Sequence, residues 1–147
     1  MPTLVNNKKA TFDHHILDRI EAGIELSGKE VKSLRSGKGS IAGSFVTIKK
    51  GEAFLVNANI PPYQPKNTPS NYNPKRDRRL LLKKREMGTL YGKMKEGGIT
   101  LIPLSIYTKG NFVKVEIGVA KGKKKHDKRE TIKRREMDRE ASRKLKK

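Results

Sequence analysis

The side chains of this chain best equipped for chemistry are cations, and they cluster. Lys75, Arg76, Arg78 and Arg79, followed by Lys83, Lys84 and Arg85, form a dense basic run. Like charges packed this closely repel one another unless phosphates lie nearby, so the run reads as a groove for a polyanion. A second cluster, Lys121 to Lys125 (KGKKK), contains Gly122, which frees the backbone for a close approach to another backbone. By charge alone it is an electrostatic site. Groups suited to catalysis are sparse. His14, His15 and His126 show no HExxH or paired-ligand spacing, so no metal or cofactor is expected. His14 and His15 read as strand residues, and His126 as a solvated side chain among cations. Neither a Gly-x-Ser-x-Gly elbow nor a phosphate-cradling glycine loop ending in Lys-Ser/Thr is present, and Gly37-Lys38-Gly39-Ser40 is too short to serve. Glu21, Glu30 and Glu116 could supply the acids of a nuclease, but each falls in a folded segment without a motif. A non-catalytic protein is expected.

The whole chain shares this bias. Among 147 residues, 35 are Lys or Arg and 15 are Asp or Glu, a net charge of +20. Such an excess opposes compaction unless a polyanion shares the surface, which makes nucleic acid the natural partner. A membrane would need a second, anchoring signal, and no stretch approaches the roughly 20 apolar residues that span a bilayer. Met1 to Ala10 holds no apolar run of signal-peptide length, so a cytoplasmic location is expected, with neither a membrane nor a small-molecule substrate as partner. Zero cysteines exclude a disulfide framework and fit a reducing compartment. Aromatics are only 5% of residues, which suits recognition of folded RNA by shape better than an extended stacking platform.

Those groups must be positioned by one modest core, since 33% hydrophobic content fills one domain. Phe45, Val46 and Ile48, then Gly51, then Phe54, Leu55 and Val56 predict a hairpin. The stretches Ile99 to Tyr107 (ITLIPLSIY) and Phe112 to Val119 (FVKVEIGV) predict a second, with Pro103 at an edge or bulge. Phe12 to Leu26 reads as a long bent strand. Helices are expected over Gly28 to Arg35, where Val31 and Leu34 share a face, and within Pro74 to Gly92, where Leu80, Leu81, Met87 and Leu90 recur. The five prolines between Ile60 and Pro74 demand irregular chain. Phe45, Phe54, Tyr107 and Phe112 are expected in the core, while Tyr63 and Tyr72, in the proline-rich loop, are as suited to meeting a partner as to packing. The result is a mainly β fold with short helices, an oligonucleotide-binding (OB) type β-barrel over residues 1–120 with helices on its outside.

Residues 121–147 hold 14 Lys or Arg and 5 Asp or Glu, so this short tail carries +9 of the +20. Its few apolar residues cannot bury a core, and it is expected to be disordered when free. From Lys128 onward it lacks Gly and Pro, and Met137, Ala141 and Leu145 share one helical face. Folding on a phosphate-lined surface is expected.

Several segments, in this order and spacing, resemble the small protein B family, whose members bind transfer-messenger RNA (tmRNA, or SsrA RNA). They are Asn7-Lys8-Lys9-Ala10, Glu21-Ala22-Gly23-Ile24, the run from Gly28 to Arg35, Glu52-Ala53-Phe54-Leu55 with Asn57-Ala58-Asn59-Ile60, Arg78 to Leu82 (RRLLL), and Val115 to Glu130 (VEIGVAKGKKKHDKRE). The resemblance implies an OB-type barrel that grips the tRNA-like domain of the RNA and stands in for its missing anticodon arm. It implies trans-translation, the rescue of stalled ribosomes, with ribosomal RNA of the decoding centre and mRNA channel as second partner.

By position, the resemblance marks Asn7, Lys8, Lys9, Glu21 and Leu81 as RNA-contacting or interface-supporting, beside Arg78 and Arg79 of the basic run. Glu21 would accept from base amino groups or hydroxyls, or orient an arginine. Lys121, Lys123, Lys124 and Lys125 would lie on RNA backbone. His126, Asp127, Lys128 and Arg129 would occupy the decoding centre, with His126 stacked on a base. Ile132, Lys133, Arg134, Arg135 and Met137 would follow as a helix in the empty mRNA channel. Met137 stands where some family members carry an aromatic. Composition alone also fits a structural ribosomal protein with a basic extension.

Overall fold

The computed structural model describes residues 2–122, 129 and 132–139. The elements run β1 (Thr3–Asn6), α1 (Lys8–Asp13), β2 (His14–Ile24), α2 (Gly28–Arg35), β3 (Phe45–Lys49), β4 (Glu52–Val56), a 3-10 turn (Pro65–Asn67), β5 (Arg78–Leu81), α3 (Lys84–Lys95), β6 (Ile99–Lys109) and β7 (Phe112–Gly122). Among the described residues seven strands join one antiparallel sheet in the order β1-β6-β7-β2-β5-β4-β3.

Local chemistry accounts for most boundaries. At the start of α2 the Ser27 hydroxyl accepts from Glu30 N–H at 3.2 Å, and Glu30 returns the bond by accepting from Ser27 N–H at 2.9 Å. The β3–β4 turn places Lys50 and Gly51 at φ 52° and 76°, two successive left-handed residues whose twist suits a two-residue hairpin. Pro103 sits at a register shift between β6 and β7, the bulge its missing N–H requires. One face of the sheet supplies the main core. Leu55, Leu80, Leu101, Ile106, Val115 and Ile117 are buried there with Leu34 of α2 and Leu90 of α3. A smaller buried cluster of Ile102, Leu104 and Ala120 is covered by Ala10 of α1.

Five expectations are corrected. Residues 78–81 form a strand, not the start of a helix, because Arg78 and Leu80 point inward while Arg79 and Leu81 point out. The sheet is open: β3 approaches β6, yet β1 already holds residues 105–107 of that edge, so no ladder closes an OB-type barrel. The strand expected from Phe12 to Leu26 spans only His14–Ile24, because residues 8–13 form a short helix started by Asn7, whose side chain accepts from Ala10 N–H. Phe45 and Phe112 are exposed, while Tyr107 is buried and Phe54 half-buried. Phe112 begins β7 beside the Gly110 turn, beyond the reach of the core. Strand β7 also runs two residues past the expected domain boundary at 120, so Lys121 and Gly122 belong to the sheet. In the tail, residues 132–139 are helical and exposed, with the Arg135 guanidinium 5.5 Å from the centre of the Phe12 ring.

Candidate nucleic-acid interface

The face of the sheet opposite the core is built by strand register. Glu21 of β2 pairs with Glu116 of β7, Gly23 pairs with both Lys114 and Leu81, and Arg79 pairs with Phe54. Cross-strand partners share a face, so carboxylates, cations and an exposed leucine meet across β7, β2, β5 and β4. A groove of about 660 Å³ results, lined by Arg19, Glu21, Gly23, Arg79, Leu81 and Lys114. A second hollow continues it toward β1 through Arg19, Ile20 and Glu21. Leu81 is 48% exposed, a large apolar side chain held in water in a wall otherwise rich in charge. Gly23 makes room for it, since a Cβ there would meet Leu81 Cβ at 3.2 Å.

Glu21 is held in place. The Tyr107 hydroxyl donates to its Oε2, and Lys109 Nζ lies 3.3 Å from its Oε1. The Tyr107 hydrogen bond, with Lys109 and Lys114 nearby, keeps the carboxyl below its ordinary range against a smaller opposing effect of burial. Burial and the carboxylate together push the Tyr107 phenol well up. Glu21 is therefore an ionised, oriented acceptor at neutral pH, able to take an N–H or O–H from a base or ribose. Arg19 donates to Glu116 at 2.8 Å, and Arg79 donates to Glu25 at 3.1 Å with Glu52 at 3.7 Å. These exposed pairs orient the guanidinium groups at little energetic cost to their exchange for phosphate.

The site brings together only some of the expected residues. Glu21, Arg79 and Leu81 share the groove; Arg19 and Lys114 join them without having been foreseen. Arg78 does not. Its side chain is fully buried and spent on Glu30, Ala58 O and Pro74 O, so it holds the fold and presents nothing to RNA. Asn7 is likewise internal, its Nδ2 donating to Pro103 O at 2.8 Å and Ile41 O at 3.3 Å. Lys8 and Lys9 of α1 are exposed, as is Lys121, which pairs with His15. They lie toward the other end of β2, where Lys121 stands six residues or roughly 20 Å from Glu21 along the strand. Lys123, Lys124, Lys125, His126, Asp127 and Lys128 fall outside the described residues; Arg129, Ile132, Lys133, Arg134, Arg135 and Met137 are exposed and helical. Among the described residues no cluster of His, Cys, Asp or Glu could hold a metal ion, and no helix is long and apolar enough to cross a membrane.

The contact at Gly23 gives a first test. Gly23→Ala should displace Leu81 and weaken RNA binding several-fold while altering stability by less than about 1 kcal/mol, because a β-strand gains from losing glycine what the crowding costs. RNA titration beside thermal unfolding measures both, and unchanged affinity would show that Leu81's position is immaterial.

Comparison with known proteins adds an independent line. The family model for SmpB protein matches residues 4–147. The SsrA-binding protein of Thermosipho africanus (strain TCF52B) is 53% identical over 147 residues, covering 99% of this chain and 98% of that protein. That of Enterococcus faecalis (strain ATCC 700802 / V583) is 48% identical over 143 residues, covering 97% and 92%. A solved structure described as "tmRNA-SmpB: a journey to the center of the bacterial ribosome" matches with a TM-score of 0.70 and 43% identity, over 90% of this chain and 95% of that chain.

Proposed function

This chain belongs to the SmpB protein family, and on that premise we propose that it binds transfer-messenger RNA and delivers it to stalled ribosomes for trans-translation. The observation that carries the reading is the groove: an oriented Glu21 carboxylate and an exposed Leu81, framed by Arg19, Arg79 and Lys114, on the open face of a sheet in a +20 chain. Cations supply affinity for any phosphate backbone. Glu21 and Leu81 supply placement, because neither is attracted to phosphate and each needs a matching base edge or ribose. The protein works by binding, without a catalytic step, and in the cytoplasm where ribosomes are.

In the finer reading the sheet domain takes the place of the anticodon arm beside the tRNA-like domain. The tail then enters the decoding centre through His126, Asp127, Lys128 and Arg129 and continues as a helix in the mRNA channel. The helical residues 132–139 support this, since a segment already helical loses less entropy on docking. Lys8, Lys9 and Lys121, at the other end of β2, are suited to a second stretch of RNA.

Salt provides the test. Affinity for transfer-messenger RNA should fall steeply, by about 10³–10⁵ between 50 and 200 mM salt for six to ten phosphate contacts, with log K linear in log salt concentration. An affinity that salt leaves unchanged would remove the electrostatic basis of the proposal.

A further inference from the structure

A second cleft adjoins the groove along α3. It occupies about 550 Å³ between α3 and the β3–β4 turn, and its walls include Ile48, Met87 and Tyr91, with Lys50 and Lys84 at the rim. Tyr91 is 46% exposed and lies outside every expectation drawn from the sequence. Lys95 Nζ lies 4.6 Å from the centre of its ring, a cation held against the aromatic group. Gly88 also lines the cleft, and a Cβ built there would meet no atom within 4 Å. A side chain at that position would extend into open space at the cleft.

Three features identify the occupant. The lining contains two lysines and no acid, which favours an anionic ligand over an apolar peptide. An exposed tyrosine beside a methionine offers the flat, polarizable wall on which a base stacks. The cleft also continues the groove, because Met87 lines both and Lys83 of the groove adjoins Lys84 of the cleft. We propose that the cleft between α3 and the β3–β4 turn receives one unstacked base of transfer-messenger RNA, stacked on Tyr91, with Lys50 and Lys84 holding the flanking phosphates. The inference rests on the RNA-binding function proposed above and adds a site to it. Folded RNA is read chiefly where a base is splayed from its stack, and this cleft gives the protein a place to capture one.

The test is binding of full-length transfer-messenger RNA, without ribosomes, to the full chain and its variants. Tyr91→Ala should raise the dissociation constant roughly five- to a hundredfold, and Tyr91→Phe, which keeps the ring, should stay within about twofold of the parent. Gly88→Leu should block the cleft and weaken binding without lowering the thermal midpoint, since leucine is a better helix former than glycine. Lys50→Gln and Lys84→Gln should each reduce the salt slope by about 0.7. Equal binding by Tyr91→Ala and the parent would overturn the proposal. So would a Tyr91→Ala defect confined to ribosome association, which would make ribosomal RNA the occupant, or a Tyr91-dependent self-association seen by sedimentation. Arg79→Glu distinguishes the two levels: if it too binds as the parent does, the groove reading falls; if it fails to bind while Tyr91→Ala binds normally, only the cleft reading falls.

Discussion

Arg78→Ala destabilises the protein by about 3–5 kcal/mol, a large part of the stability of a domain this size. Arg78 and Glu30 are 0% and 1% exposed at their side chains. Arg78 Nε and Nη2 donate to Glu30 Oε2 at 2.9 and 2.6 Å, while Nη1 and Nη2 donate to Ala58 O and Pro74 O at 2.8 and 2.9 Å. Truncation strands two carbonyls and leaves the carboxylate to Arg76, which is 40% exposed and bonds it from the solvent side. Loss of a buried donor costs more than the bond itself is worth, because the remaining groups stay desolvated. The same network sets a pH dependence. Burial pushes the Glu30 carboxyl up, but the Arg76 hydrogen bonds, Ser27 N–H and Arg78 outweigh it, so its folded-state pKa lies below the ordinary 4.5. A depressed carboxylate contributes stability that is fully present above 4.5 and is lost as pH falls through the folded-state value. Glu30→Gln should flatten that acid limb. Denaturant unfolding across this range checks both, and an Arg78→Ala protein within about 1 kcal/mol of the parent would show that the buried pair is dispensable.

Glu30 and Arg78 also show where the sequence ceases to be readable. The Ser27–Glu30 box starts α2 over three residues, and the hairpin turn at Lys50-Gly51 is equally local, so both are visible in the chain itself. Arg78 looks like one more surface cation because its partner stands 48 residues away, and only the fold reveals that it is inside. Alternation was the missed signal for β5: in Arg78-Arg79-Leu80-Leu81 the inward residues are an arginine and a leucine, a pattern that hydrophobicity alone reads as helix. A six-residue helix such as α1 carries too little periodicity to register, and its one cue was the cap at Asn7. The groove was legible only in part. Glu21 and Leu81 stood out through family resemblance, whereas Arg19 and Lys114 required the strand register that pairs Gly23 with Lys114. Alternation along β7, where Lys114 and Glu116 alternate with buried Val115 and Ile117, would have put Lys114 on the open face. Tyr91 gave no signal of its own, because an exposed helical tyrosine acquires meaning only from the turn that faces it.

Arg79→Glu abolishes useful affinity for transfer-messenger RNA, raising the dissociation constant on the order of a hundredfold or more. Like charges brought together at an interface cost several kcal/mol, and each 1.4 kcal/mol is a factor of ten. Arg79 stands in the groove between Glu25 and Glu52, so reversing it replaces a paired cation with a further acid on the wall that meets the RNA backbone. Its side chain is 46% exposed, and its ion pairs are of the surface kind, so the fold should lose about 1 kcal/mol or less. Loss of binding without loss of stability is the signature. Lys66→Glu makes the same change in net charge at an exposed position in the 3-10 turn, outside the groove. Long-range attraction to a polyanion depends on total charge and should weaken similarly in both variants, chiefly through the association rate. A contact made in the groove depends on position and should appear as faster dissociation in Arg79→Glu alone. Equal losses in the two variants would mean that the +20 acts as a diffuse field and that the groove around Glu21 and Leu81 confers no placement.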